Sequence, residues 1–347
     1  MDLILYNGNF VTMDEKFPKA SAVAIKKGKI AAVGYDSDIL KLADEKTEIM
    51  DMQSKTIVPG FNDSHLHNIK YGIFTNCCDL SQCTSVKEII DVTRQFIDEK
   101  DIAPGDWVIG RGWNQDKFDV KVFPKREDLD LISRVHPIVM FRCCSHLLVV
   151  NSKALEVLGI NEWTPQVEGG FFDVNSGLFR EAAKDLVQVS LRSYDVPSLK
   201  NFIKKACEDL IKQGITSIQT DDFNMSNDYK RIIQAYKELA EEGNLPVRVT
   251  QQCLVGNQKE LEEFIQNDYK GLNIKDFYRI GPIKILADGS LGARSAAMRK
   301  PYLDAPYTTG ILIHNEYELK KMIETAHNAG YCVAIHCIGD KAVEIAL

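Results

Sequence analysis

Apolar and polar positions change their rhythm near Lys55. Before it, short apolar runs are broken by turn residues: Leu3–Tyr6, Asn7-Gly8-Asn9, then Phe10–Thr12; and Ala22–Ile25, Lys26-Lys27-Gly28-Lys29, then Ile30–Val33. Such punctuation predicts strand, turn, strand, and a small β subdomain over residues 1–55. Thr56-Ile57-Val58 then leads as a β-branched run through Pro59-Gly60 into Phe61. After Ser198 the pattern alternates helix and strand at intervals of about thirty residues, the length of one unit of an eight-unit barrel. Helices are expected at Leu199–Lys212, Asp228–Glu242, Gln258–Asn267 and Glu316–Asn328. Strands are expected to follow at Ile215–Thr220, Val247–Leu254, Tyr278–Leu286 and Tyr331–His336, with Gly214, Gly243 and Gly330 ending three of the helices. This order predicts an α/β protein with a parallel sheet, as a barrel or a doubly wound sheet.

Residues 70–197 do not keep that rhythm and read as a subdomain inserted after the first strand of the repeating part. It is expected to hold a helix at Val86–Glu99, strands at Trp107–Arg111 and Pro137–Arg142, and a helical stretch at Leu178–Val189.

Composition narrows the function classes. The 347 residues carry 49 acidic and 42 basic side chains, net −7, with no basic run, which argues against nucleic acid and anionic membrane as partners. No apolar stretch approaches the roughly 18 residues a membrane span needs. Met1-Asp2-Leu3-Ile4-Leu5-Tyr6 lacks the basic start and long apolar core of a signal peptide, so a cytoplasmic location is expected. Nine cysteines without any Cys-x-x-Cys are expected to be reduced, buried and chemically idle.

Three places carry candidate chemistry. On an extended segment His65 and His67 share a face; two imidazoles so placed bind one divalent ion, or are solvated or core histidines. His336 ends an apolar strand just before a turn, where α/β folds build their sites, or is hydrogen-bonded in a core. Lys284 lies inside an apolar strand; a buried ammonium is costly, so it either reaches out of the sheet or has an unusual chemical state. No G-x-G-x-x-G, G-x-x-x-x-G-K-[ST] or G-x-S-x-G occurs.

Together, Pro59-Gly60-Phe61-Asn62-Asp63-Ser64-His65-Leu66-His67, Ile283-Lys284-Ile285-Leu286-Ala287-Asp288-Gly289-Ser290-Leu291-Gly292-Ala293-Arg294 and Ile335-His336-Cys337-Ile338-Gly339-Asp340-Lys341-Ala342 resemble the amidohydrolase superfamily, in its amidohydrolase-3 branch that includes N-substituted formamide deformylase-like proteins. Arg111-Gly112-Trp113-Asn114-Gln115, Cys144-Ser145-His146 and Gly177-Leu178-Phe179-Arg180-Glu181 add to the likeness. The resemblance implies a metal-dependent hydrolase on a (β/α)8 TIM-type barrel with a small β-sandwich and an inserted α+β subdomain. It maps metal ligands onto His65, His67, Lys284 and His336, with one or two divalent ions per chain, zinc being the expected metal, and with carboxylation of Lys284 as the state that bridges them. The reaction implied is hydrolysis of a non-peptide C–N bond in a small amide, N-formyl compound or cyclic amide by metal-activated water. Asp63, facing the same side as His65, is a candidate to orient a ligand or is a solvent-facing acid.

Substrate contacts are expected from Arg294, in the loop after the fourth strand, and from Asp340, which otherwise caps a helix. In the insertion, Trp113 and His146 are the candidates, with packing as the alternative for Trp113 and a strand-end position for His146. The family also needs a sixth-strand histidine and an eighth-strand aspartate as general base, the latter expected beyond Leu347. The organisation expected is therefore the N-terminal part of the sandwich at 1–55, the first barrel strand at 56–69, the insertion at 70–197, and barrel units two to five at 198–347. A catalytically incompetent barrel with a ligand-binding or regulatory role is the other reading; a homodimer is the default assembly. Five units leave two open sheet edges, so residues 1–347 alone are expected to be neither a stable monomer nor an active enzyme. Gel filtration with urea unfolding checks this: a monomer that unfolds cooperatively and retains metal would refute it.

Overall fold

Mixed antiparallel and parallel pairing organises the N-terminal residues of the computed structural model, which describes residues 1–347 except 145, 146, 168, 192, 193 and 293. The chain divides into two compact units, Met1–Asn62 with Gly214–Ser217, and Asp63–Gln213 with Ile218–Leu347. In the first, a four-stranded sheet has the order Lys29–Gly34, Ala22–Lys26, Leu3–Tyr6, Glu48–Asp51. A three-stranded sheet has the order Lys19–Ala20, Asn9–Val11, Thr56–Ile57. The hairpin expected around Lys27-Gly28 is present: Lys26 pairs with Lys29, and both turn residues have positive φ, as a two-residue hairpin turn requires. The hairpin expected around Asn7-Gly8 is not. Leu3–Tyr6 pairs with Ala22–Lys26 and Glu48–Asp51, while Asn9–Val11 pairs in the other sheet. Phe10, Ala20 and Val23 form one apolar cluster of this unit and Ile4, Ala22, Ala24 and Ile39 another.

The central sheet, which belongs to the second unit from Asp63 and Ile218 onward, follows chain order. Its strands are Phe61–Leu66, Ile215–Asp221, Arg248–Leu254, Tyr278–Leu286 and Val333–His336, with Asn273–Ile274 added antiparallel to the fourth. The third and fourth strands pair in parallel, as do the fourth and fifth, setting Leu254 beside Lys284 and Leu286 beside His336. The architecture is mixed α/β with a half-barrel sheet. Its helices arise locally. Asp195 accepts a hydrogen bond from the Ser198 N–H (2.9 Å) and Pro197 lies in the first turn; Leu199, Ile203, Ala206, Cys207 and Leu210 then recur on the buried face of Val196–Lys212. Asn315 and Glu318 form a reciprocal capping box at Glu316–Asn328.

A six-stranded sheet fills the segment between the first two central strands, in the order Gly170–Asp173, Leu178–Glu181, Leu147–Val150, Ile138–Arg142, Val108–Trp113, Cys78–Asp79. Alternation sorts it onto two faces: Ile138 and Met140 join one apolar cluster, Val139 the other. The helical stretch expected at Leu178–Val189 is two elements. Leu178 and Phe179 pair with neighbours on both sides, ladder bonds a helix cannot make, and the helix begins only at Asp185. The cysteines form no disulfide among the described residues, but only five of the nine are buried; Cys143 and Cys144 fall in the turn after Ile138–Arg142 rather than on a strand. Among the described residues no helix is long and apolar enough to cross a membrane.

Gly72 lies where the helix Asn68–Thr75 meets the helix Val196–Lys212: a Cβ there would collide with the Phe202 backbone carbonyl. Gly72→Ala should therefore destabilise the protein by about 1–3 kcal/mol, the usual cost of overpacking, read as a lower urea midpoint; an unchanged midpoint would refute this close approach.

Candidate metal centre

The first central strand ends in the two histidines. The His65 and His67 rings lie 5.3 Å apart at 77°. Asp63 turns its Oδ1 to the His65 backbone N–H (3.1 Å), so it shapes the strand. His67 directly precedes the helix Asn68–Thr75, and its Nδ1 is hydrogen-bonded to the Asp221 carbonyl oxygen. A carbonyl oxygen has no proton to give, so Nδ1 is the donor and a neutral ring keeps a bare lone pair on Nε2.

A buried network sets that geometry. The Asn68 N–H donates to Thr220 Oγ1 (2.9 Å) and the Ile69 N–H to Asp222 Oδ1 (3.0 Å). The Thr220 and Tyr236 hydroxyls donate to Asp222 Oδ2 (2.7 and 2.8 Å). The end of the second strand thus takes up donors that the helix start leaves without intrahelical partners. Burial pushes the Asp222 carboxyl up to about 6, against the hydrogen bonds from Thr220, Tyr236 and Ile69 that favour its anion. Burial also raises Asp221, opposed by the nearby charges of His67, Lys284 and His65.

Lys284 is 8% exposed, and its Nζ has no hydrogen-bond or ion-pair partner among the described residues. Its charge acts on Asp221 on one side and on Cys337, next to His336, on the other. His336 ends the fifth strand; its Nε2 bonds to the Gly289 carbonyl oxygen (3.1 Å), and Asp288 Oδ1 lies 3.7 Å away. By the same proton argument Nδ1 is the bare nitrogen of a neutral ring. The buried Asp288 accepts the N–H groups of Ile338 (3.0 Å), Gly339 (2.7 Å) and Ala297 (2.9 Å), fixing the turn after His336. A cavity of about 410 Å³ opens at the strand ends, lined by Leu254, Leu286, His314 and Asn224 among others.

The residues expected to touch substrate have contacts of their own, where they are described. Trp113 is wholly buried in the inserted sheet's core, its indole N–H donating to the Met140 carbonyl (3.1 Å); it packs. Arg294 is paired with Asp304 and donates to the Gly292 carbonyl (2.8 Å), so its own loop occupies it. Asp340 opens the last helix, but Gly339 holds the cap position and Asp340 accepts the Arg299 N–H (2.9 Å). His146 lies outside the described residues. Asp221, Asp222 and Asp288 were not singled out from sequence. Their signal was acids directly after apolar strands, in Thr220-Asp221-Asp222 and Leu286-Ala287-Asp288.

Among the described residues, no three His, Cys, Asp or Glu side chains converge as a ready metal cluster. The chemistry of the nearby donors is nonetheless that of a divalent-ion site. Two adjacent imidazoles, one with its tautomer set by a carbonyl, lie near Asp221, whose Oδ1 is buried without a hydrogen-bond partner.

Comparison with known proteins agrees. The profile described as the amidohydrolase family matches residues 48–347. The chain belongs to the amidohydrolase family. The resemblance drawn from its motifs is borne out. A putative amidohydrolase of Bacillus subtilis (strain 168), YtcJ, is 31% identical over 99% of this chain and 65% of its own length. N-substituted formamide deformylase of Arthrobacter pascens is 24% identical over 100% and 65%. This chain thus spans about two-thirds of the length of both amidohydrolase relatives. An uncharacterized metal-dependent hydrolase from Pyrococcus furiosus superposes with a TM-score of 0.83 at 30% identity, covering 99% of this chain and 69% of that one.

The raised Asp222 pKa makes a signed prediction. The folded protein holds this proton more tightly than the unfolded chain, so the stabilisation is present below about pH 4 and is lost as pH rises through about 6. The wild-type stability minus that of Asp222→Asn, from urea unfolding, should fall between pH 4 and 6 and level off above. A difference that does not change with pH would refute the shift.

Proposed function

We propose that this chain carries the metal site of a hydrolase that cleaves a non-peptide C–N bond in a small amide, N-formyl compound or cyclic amide. The observation that carries the reading is His67, held by the Asp221 carbonyl with Nε2 bare, beside His65 and the unpartnered Asp221 Oδ1. His65, His67 and His336 would hold the divalent ion, zinc by ligand chemistry. When bound, it polarises a carbonyl oxygen and lowers the pKa of water toward about 7.

The chain's own residues do the orienting. The Asp221 carbonyl sets the His67 tautomer and the Gly289 carbonyl that of His336, as outer partners of metal-binding histidines do. Lys284, buried beside Asp221, would join the ligand set as its carbamate: the ammonium gives one proton to water, the neutral amine adds to carbon dioxide to form the N–C bond, and a second proton goes to water. An anion would then stand where a cation stood, suited to holding a divalent ion. The half-barrel sheet is, in this reading, part of a (β/α)8 barrel, the N-terminal sheets part of a β-sandwich, and the protein cytoplasmic. The name of the Arthrobacter relative, N-substituted formamide deformylase, supports an amide-type substrate.

Metal analysis tests this. Loss of an outer partner alone costs about 10–100-fold in metal affinity, so His65→Ala or His67→Ala should lower zinc affinity at least that much. In the full-length gene product, chelation should abolish hydrolysis of N-formyl and N-acyl compounds, and added zinc should restore it. Unchanged zinc retention in the double variant, or activity indifferent to chelator, would overturn the proposal.

A further inference from the structure

A second cavity, of about 550 Å³, lies between the inserted sheet and the helix that follows His67. That size falls in the range of small-molecule sites. Lys70, Ile73, Phe74 and Cys77 reach it at helical spacing, and the inserted sheet adds Arg111 and Phe141. Its charge is one-sided: Lys70, Arg111, Lys117 and Arg142 line it, and no Asp or Glu among the described residues does, although the whole chain is net −7.

Two of the four cations are already engaged. Arg142 is paired with Asp116 (3.1 Å) and bonded to Asn114 and Gln115; Lys117 donates to the Ser81 carbonyl (3.1 Å). The other two are not. The Arg111 guanidinium lies 4.4 Å from the Phe74 ring centre, and Lys70 Nζ lies 5.7 Å from the same ring. Neither has an ion pair or hydrogen bond among the described residues. Asp79, the acid in Arg111's field, directs its carboxylate to the Ser81 N–H (2.9 Å). Two like charges beside one ring repel, with Asp79 the one acid in Arg111's field among the described contacts, and an anion within reach of both is favoured. A guanidinium stacked on an aromatic face keeps its N–H edge free for a bidentate carboxylate. Phe141, Leu191 and Tyr194 supply an apolar and aromatic wall for the rest of the ligand.

We propose that this cavity is a binding site for a small aryl carboxylate, its carboxylate held by Arg111 and Lys70 and its ring against Phe141 and Tyr194. Calorimetric titration of the full chain with phenylacetate and with the neutral phenylacetamide tests it. Chelator is kept present so that the outcome does not depend on the metal reading. Phenylacetate should bind saturably and at least roughly tenfold more tightly than phenylacetamide, the usual worth of a charge-assisted hydrogen bond. Arg111→Gln and Lys70→Gln, each checked for native circular dichroism, should each weaken phenylacetate several-fold and leave phenylacetamide unchanged. Lys87→Gln, at an exposed helix position, should change neither. Equal affinity for the two compounds, no saturable binding, or equal weakening by Lys87→Gln would overturn the proposal. If either cavity variant fails to fold, the other together with the phenylacetamide comparison decides it.

Discussion

A buried carboxylate at the start of the helix after His67 is the constraint on which the rest of the site depends. Asp222 lies wholly out of water, yet it takes hydrogen bonds from two hydroxyls and one backbone N–H. Removing a carboxylate from water costs several kcal/mol unless such donors replace it. Here one donor is a helix N–H with no partner in its own helix, so two unsatisfied demands cancel. The same contacts lock the first strand's exit against the second strand's end, and His67 is the residue at that junction.

The arrangement recurs at the other histidine. Asp288, just past the fourth strand, grips the N–H groups of Ile338 and Gly339 in the turn that follows His336. In both places an acid from one strand end holds the chain just beyond a histidine on the adjoining strand. Lys284, on the fourth strand, acts electrostatically toward both groups. Each histidine-bearing strand end is therefore fixed by the same kind of paired backbone and carboxylate contact.

This explains what was legible in the sequence. His65 and His67 were visible because strand periodicity is local, and Lys284 and His336 because a polar residue in an apolar strand stands out. Asp222 and Asp288 were not, since the partners that matter, Ile69 and Gly339, lie 153 and 51 residues away and turn on pairing that no local pattern encodes. The same limit misplaced the Leu178–Val189 stretch, whose strand half exists only because neighbours on both sides pair with it. Trp113, read as a substrate contact or a packing residue, is a core residue; an aromatic beside a glycine reads alike in either role. Most helix boundaries were readable, since caps such as Asp195 and Asn315 act within one turn.

The two carbonyl contacts make the histidines chemically unlike. His67 offers the nitrogen far from its Cβ, and His336 the nitrogen next to it. A glutamine amide reaches about as far as Nε2 and an asparagine amide about as far as Nδ1, so the two positions call for different isosteres. Each histidine is thus defined by reach as well as by identity, and moving the same ring to the other strand would present the wrong atom.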